Sequence, residues 1–568
     1  MNYQKWNNIL GWLVFAIAAY TFVSTVEPTA SFWDCGEYIA TSYRLEVGHP
    51  PGAPTFLLVG RLFSMFASPE NVAYSVNLIS ALSSAFTILF LFWTITALGR
   101  KLFSAKGSSE ELTQGDTIAV FGSAIIGSLA YTWSDTFWFS ATEGEVYALS
   151  SMITAITFWA ILKWESIAHE PKADRWIILI AYLVGLSIGI HLLNLLAIPA
   201  VAYVIYFKKF KPNIKGLIIA GVAGVITLGG IQSFIIPKVV SWAASFEFVM
   251  VNSFGLPFHM GSVIFIVLML GAVVFGIQYT MKKNKPIWHT ALLSFLVLII
   301  GYSSFVLIMI RSNANTPIDE NNPENLVNLL SYLNREQYGD FPLLYGQYFN
   351  SPLDKETPYL DGDPVYYPDV RTGKYELADD RKNSKPNYED EFKSFFPRMW
   401  SPKKNHVKAY KQWSGFEGKP VKYRDSRGQM STIRKPKFSE NISFFFKYQI
   451  GWMYFRYFMW NFSGRQNDTQ GHGNFQDGNW MTGVPFIDEA HVGNQDELPS
   501  YLENQKARNF FFVLPLILGL LGMLFHFKAD KRNAWVVLLL FLFTGLAIVV
   551  YLNQYPYQPR ERDYAYAG

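Results

Sequence analysis

The chain has 568 residues, half of them hydrophobic, 17% aromatic and only 16% charged, with a formal net charge of +4. Its apolar residues are grouped in blocks long enough to cross a ~30 Å hydrocarbon layer as helices, which excludes an ordinary water-soluble domain. A single cysteine, Cys35, excludes an internal disulfide and a CxxC metal site, and the small positive charge describes membrane orientation, not nucleic-acid binding.

Apolar stretches of spanning length lie near 7–26, 75–98, 117–134, 146–164, 216–235, 261–279, 288–311, 509–527 and 534–551, and 176–206 is long enough for two short spans. The first has only Lys5 before it and no small-residue cleavage site after it, so it reads as a retained helix and not a removed signal. Cations gather in alternate short loops: Arg100, Lys101 and Lys106; Lys163, Lys172 and Arg175; Lys208, Lys209, Lys211 and Lys215; Lys282, Lys283 and Lys285; Lys528, Lys531 and Arg532. These loops alternate correctly only if 176–206 is a helical hairpin. The pattern predicts about 11 spans, with the N-terminus inside and the C-terminus outside.

The expected fold class is therefore all-α and polytopic, in three parts: a membrane core over 1–311 with its first external loop at 27–74, an extracytoplasmic aromatic-rich insert over 312–508, and C-terminal spans with an external tail over 509–568. The insert has an acidic half near Asp354 to Glu391 and a basic half from Lys403 to Lys437. Pro, Gly and Asn punctuate it every few residues, which predicts irregular loops packed by aromatic residues. The aromatic run at 443–462 reads as an interfacial helix.

The first external loop places Asp34 and Glu37 three residues apart, on one face if helical. Carboxylates beside a membrane are costly to desolvate, and a raised proton affinity suits a general base. Ser31 followed by Asp34 equally fits a capping box. Gly48-His49-Pro50-Pro51-Gly52 is a rigid turn with a histidine that could touch a site or be a satisfied loop residue. Glu143 and Glu145 open a helix, where acids also serve the helix dipole. His191 and Asn194 lie at membrane depth, facing either a cavity or a packed interior. On the outer side Arg335, Arg456, Arg465, Arg560 and Arg562 could each clamp a phosphate through the planar guanidinium fork, or form surface ion pairs.

Phe32-Trp33-Asp34-Cys35-Gly36-Glu37-Tyr38, followed by Gly48-His49-Pro50-Pro51-Gly52, Glu143-Gly144-Glu145-Val146-Tyr147 and Arg560-Glu561-Arg562-Asp563-Tyr564, resembles a bacterial membrane family of formerly unknown function. That family is similar to the protein O-mannosyltransferases of the GT-C group of glycosyltransferases. The resemblance implies a multi-pass enzyme of the bacterial cytoplasmic (inner) membrane with its active site facing the periplasm. It implies a polyprenyl-phosphate sugar donor, an exported protein acceptor, inversion at the anomeric centre, Asp34 as base and Glu37 as a second acid. His49, Glu143, Glu145, Arg335, Arg456, Arg560 and Arg562 are the expected binding residues for the substrates and the lipid-borne donor. Some GT-C enzymes use a divalent cation, and Asp34, Glu37, Glu143 and Glu145 are oxygen ligands of the right hardness for one. Family members often continue past the position of Gly568, so the resemblance also implies a longer protein. Two rival readings remain at this point: a transporter or flippase, which predicts paired inverted repeats, and a non-enzymatic envelope scaffold that binds partners through the insert.

Overall fold

The computed structural model describes residues 2–104, 112–424 and 428–568, so Lys106 of the first cationic loop lies outside the described residues. The N-terminal helices are α1 (Tyr3–Ser24), α2 (Cys35–Arg44), α3 (Pro54–Ser64), α4 (Val72–Ser104), α5 (Gln114–Thr132), α6 (Asp135–Thr142), α7 (Val146–Ile167), α8 (Arg175–Ile188) and α9 (Ile198–Lys209). They are followed by α10 (Ile214–Gly230), α11 (Ile236–Asn252), α12 (Met260–Lys282), α13 (Pro286–Tyr302) and α14 (Val306–Ser312).

Among the described residues, eight helices are long and apolar enough to cross a membrane, or nine if α5 and α6, bent by 62°, form one broken span. The difference from about 11 has a geometric cause. The helix Arg175–Ile188 has 14 residues and Leu514–Ala529 has 16, so at ~1.5 Å per residue both fall short of a ~30 Å layer. Much of α10, α12 and α13 is exposed, with Ile218, Val222, Val267, Leu268 and Phe275 open to the surroundings. Apolar surface of that extent belongs against lipid. The chain is a multi-pass membrane protein.

The helix ends sort into two groups. At one end Lys101 of α4 pairs with Glu165 of α7, Trp164 Nε1 donates to Asp174 at 3.4 Å, Lys209 Nζ donates to Ala168 O at 3.4 Å and Thr290 donates to Asp174 at 3.1 Å. The cationic loops therefore meet at a common end. At the opposite end, the turn between α8 and α9 brings His191 against Tyr147 at the start of α7, ring centroids 4.7 Å apart. The stretch 176–206 thus runs up from the cationic end and returns to it, as a hairpin.

After α14 the chain leaves the helical bundle. It forms α15 (Leu326–Leu333), α16 (Lys404–Ser414), α17 (Phe438–Phe444), α18 (Arg456–Phe462), α19 (Pro485–Val492) and α20 (Ser500–Glu503). Among the described residues five two-stranded antiparallel ribbons accompany them, the longest pairing Lys419–Arg424 with Met430–Lys435 and Val365–Asp369 with Lys374–Asp379. The sequence reading of irregular loops omits these ribbons, whose strands are too short to leave a clear two-residue period. The aromatic run is helical through a π-helical stretch at Phe445–Phe455, but Tyr448, Met453, Tyr457 and Trp460 are buried with Phe349, Tyr410 and Phe444. It is core rather than an interfacial face.

Three further helices, α21 (Leu514–Ala529), α22 (Lys531–Thr544) and α23 (Leu546–Leu552), lead into an extended tail. Asn553 fastens that tail to the insert, donating to Pro342 O at 2.8 Å and Pro397 O at 2.9 Å and accepting from Gln449 at 3.1 Å.

Candidate active site

The first loop is built around α2. Asp34 occupies its N-cap position, yet the side chain makes no capping hydrogen bond, which removes the capping-box explanation for this acid. Burial pushes the Asp34 carboxyl up, with Glu37 adding to the effect, while His49, Arg562 and Arg560 pull the other way; the net direction is above the ordinary carboxylate range. Asp34 is thus a half-buried carboxylate with raised proton affinity and no hydrogen-bond donor on it among the described residues.

Glu37, one turn along, is committed elsewhere. Its Oε1 accepts both the backbone N–H and the Nδ1–H of His49, the latter at 2.9 Å. Burial raises the Glu37 carboxyl, but the two bonds from His49 outweigh it and leave it below its ordinary value. His49 is pushed down by burial and up by Glu37 and Asp34, and ends above its ordinary value. The turn needs its glycines for this: a Cβ on Gly48 would sit 2.4 Å from Glu37 Oε1, and Gly52, at φ +82°, would put one 2.3 Å from the Tyr332 hydroxyl. That hydroxyl, from α15, donates to Gly48 O at 2.6 Å.

The acidic turn before α7 closes the second wall. Arg560 of the tail donates from Nη2 to Glu143 Oε1 at 2.5 Å and from Nη1 to Phe32 O at 2.8 Å, stitching the tail to both loops. Cys35 Sγ lies 3.6 Å from Glu143 and 3.8 Å from Glu145. Burial and the neighbouring Glu143 raise the Glu145 carboxyl to about 8, against the opposing pull of Arg560. Burial thus favours the protonated form of Glu145 near neutral pH.

The arginines separate by partner. Ion pairs of arginine among the described residues involve Arg371, Arg381, Arg456, Arg465 and Arg560. Arg456 is gripped by both oxygens of Glu561 at 3.0 and 2.7 Å and donates to Gly478 O at 2.7 Å, and Arg465 pairs with Asp135 at 2.8 Å. The phosphate-clamp expectation for Arg456 therefore fails on geometry: its fork is already filled, deep in the insert. Arg562 keeps no carboxylate partner; it donates to the Tyr564 hydroxyl at 2.5 Å and to Gln558 Oε1 at 3.3 Å, and its charge acts on Asp34. Arg335 is exposed over the Tyr338 ring at 4.9 Å, near enough for its charge to act on His191.

The structure thus gathers Asp34, Glu37, His49, Glu143, Glu145, Arg560 and Arg562 at one mouth, with Arg335 close by and Arg456 held beside it on Glu561, the residue between Arg560 and Arg562. Among the described residues no group of three or more His, Cys, Asp or Glu is arranged to hold a metal ion; Glu37 is turned to His49 and Glu143 to Arg560. Sequence reasoning missed the roles of Tyr332, whose partner Gly48 lies 284 residues away, and of Glu561, whose partner Arg456 lies 105 residues away.

Residues 34–214, which include α2 to α9 and both acidic loops, match the family model of the protein O-mannosyl-transferase TMEM260 N-terminal domain. This part of the chain is related to the protein O-mannosyltransferases. The mouse protein O-mannosyl-transferase TMEM260 is 26% identical over 175 residues, covering 31% of this chain and 22% of the mouse protein. The Dictyostelium discoideum protein O-mannosyl-transferase tmem260 is 22% identical over 210 residues, covering 34% of this chain and 23% of its own length. The chain therefore spans less than a quarter of the curated mannosyltransferase relatives it matches. Residues 339–446 match a second model, a family of unknown function (DUF8416). No solved structure gives a significant match.

Proposed function

We propose that this chain is the membrane part of an inverting glycosyltransferase that moves a sugar, mannose on the relatives' names, from a polyprenyl-phosphate donor to Ser or Thr hydroxyls of exported proteins. The observation that carries the reading is a carboxylate with no hydrogen-bond donor among the described residues, Asp34, within electrostatic reach of a guanidinium, Arg562, that has hydrogen bonds but no carboxylate partner. A membrane-held donor brings its phosphate to the surface, where cations must meet it, and presents its sugar to a base beside them.

The chemistry balances with these groups. The acceptor hydroxyl oxygen bonds to the anomeric carbon while its proton passes to Asp34. The bond from that carbon to the phosphate oxygen breaks, its electron pair stays on the phosphate, and Arg562, with Arg335, offsets the developing charge. Glu37 and His49 hold the loop that carries Asp34, and Glu143 holds Arg560. We assign the mouth to the extracytoplasmic face, because the cationic loops meet at the other end of the helices.

The test is transfer of radiolabelled mannose from polyprenyl-phosphate mannose to a Ser/Thr-rich exported protein by the purified full-length protein. Activity in the wild type and none in Asp34→Asn supports the reading; full activity in Asp34→Asn overturns the assignment of the base. No transfer by the wild type from any polyprenyl-phosphate sugar overturns the reaction class.

A further inference from the structure

We propose that the cavity between α2, α3 and α14 binds the headgroup of an anionic phospholipid, at a site separate from the mouth beside Asp34. The cavity holds about 450 Å³ and is lined by Tyr43, Arg44, Leu45, Arg61 and Arg311. None of its three arginines makes an ion pair among the described residues. Three cations around one cavity repel each other and gain from an anion placed between them.

Part of the arrangement has a local explanation. Arg61 donates to Tyr43 O, and Arg311 donates to Leu45 O at 2.5 Å and Arg44 O at 3.2 Å. Cations at these carbonyls cap the C-terminus of α2 and favour its dipole. Each guanidinium carries five N–H donors, so the capping bonds leave others free, and capping does not account for Arg44, which is exposed and makes no side-chain hydrogen bond among the described residues.

The surroundings select a lipid over a free anion. Leu58 lies one turn before Arg61 on the same face of α3, Leu62 lies one turn beyond Leu58 and is 54% exposed, and Phe66 just past the helix is 86% exposed. On the other side Val306 and Ile310 of α14 are also exposed. A cationic cup with apolar strips leading from it fits a phosphate headgroup with acyl chains lying along α3 and α14. The ten residues of α2 separate the cup from Asp34 by about 15 Å of helix, so a lipid seated here does not occupy the sugar-transfer mouth.

The test is binding of dihexanoyl phosphatidylglycerol to the full-length protein in non-ionic detergent by native mass spectrometry, against dihexanoyl phosphatidylcholine and inorganic phosphate. Phosphatidylglycerol should bind roughly tenfold more tightly than phosphatidylcholine and lose about tenfold in Arg44→Glu, which touches no capping bond. An Arg44→Glu/Arg311→Gln variant should lose more, with an unchanged melting temperature for the single variant showing that the fold is intact. Equal binding by wild type and both variants overturns the site. Inorganic phosphate binding as tightly as phosphatidylglycerol overturns the lipid and leaves a free-phosphate cup.

Discussion

At the mouth, Arg562 rests on a phenol and an amide oxygen, while in the insert Arg456 has both its terminal nitrogens on Glu561, with the Tyr457 hydroxyl donating to that carboxylate at 2.5 Å. Both belong to an aromatic setting and both attract attention as outer-face cations. The difference is the counter-charge. A fork filled by a buried carboxylate is costly to break from one side, and one without a carboxylate keeps its charge for something not yet bound.

The sharpest way to break this comparison is to remove Asp34 and Arg562 in turn. Asp34→Asn should lower transfer by roughly 10²- to 10⁴-fold, the usual worth of a positioned general base, with no fall in melting temperature. Arg562→Gln should lower kcat by about 10²- to 10³-fold, as expected for one donor to a developing charge. In the insert the readout should reverse: Arg456→Met strands a buried Glu561 carboxylate and should cost about 3–5 kcal/mol of stability, seen as a lower denaturation midpoint. If Arg456→Met is as stable as the wild type, the filled-fork argument is wrong.

A smaller effect sharpens the contrast within the mouth. Glu37 and His49 stabilise each other as a carboxylate and an imidazolium. Glu37 is shifted down, so its contribution is present above its unfolded value and fades as pH falls through the folded one. His49 is shifted up from 6.5, so its contribution is present below 6.5 and is lost as pH rises through the folded value. The pair should therefore add stability from the carboxylate range to just above 6.5. Glu37→Gln should remove that hump, worth about 1 kcal/mol, in melting temperature measured against pH. Gly48→Ala, by displacing the Glu37 carboxylate, should flatten it too.

The membrane architecture was largely legible, because spanning helices announce themselves by length and apolarity, and the cation alternation required the turn near His191. The short α8 and α21 were counted as spans because apolar runs do not show where a helix stops. At the site, Asp34 and Glu37 were legible as neighbouring acids, and Gly48 and Gly52 as a rigid turn. The roles of Arg456 and Arg562 were not, since both read as outer-face arginines in aromatic sequence. What separates them is Glu561, and nothing near position 456 reveals that an acid 105 residues away completes its fork.

The stitch made by Arg560 has a consequence for biosynthesis. Its bond to Phe32 joins residues 528 apart, and its pair with Glu143 joins residues 417 apart. Neither contact can form until residue 560 has been synthesised. A nascent protein halted before Arg560 therefore lacks the strand that ties these two loops together.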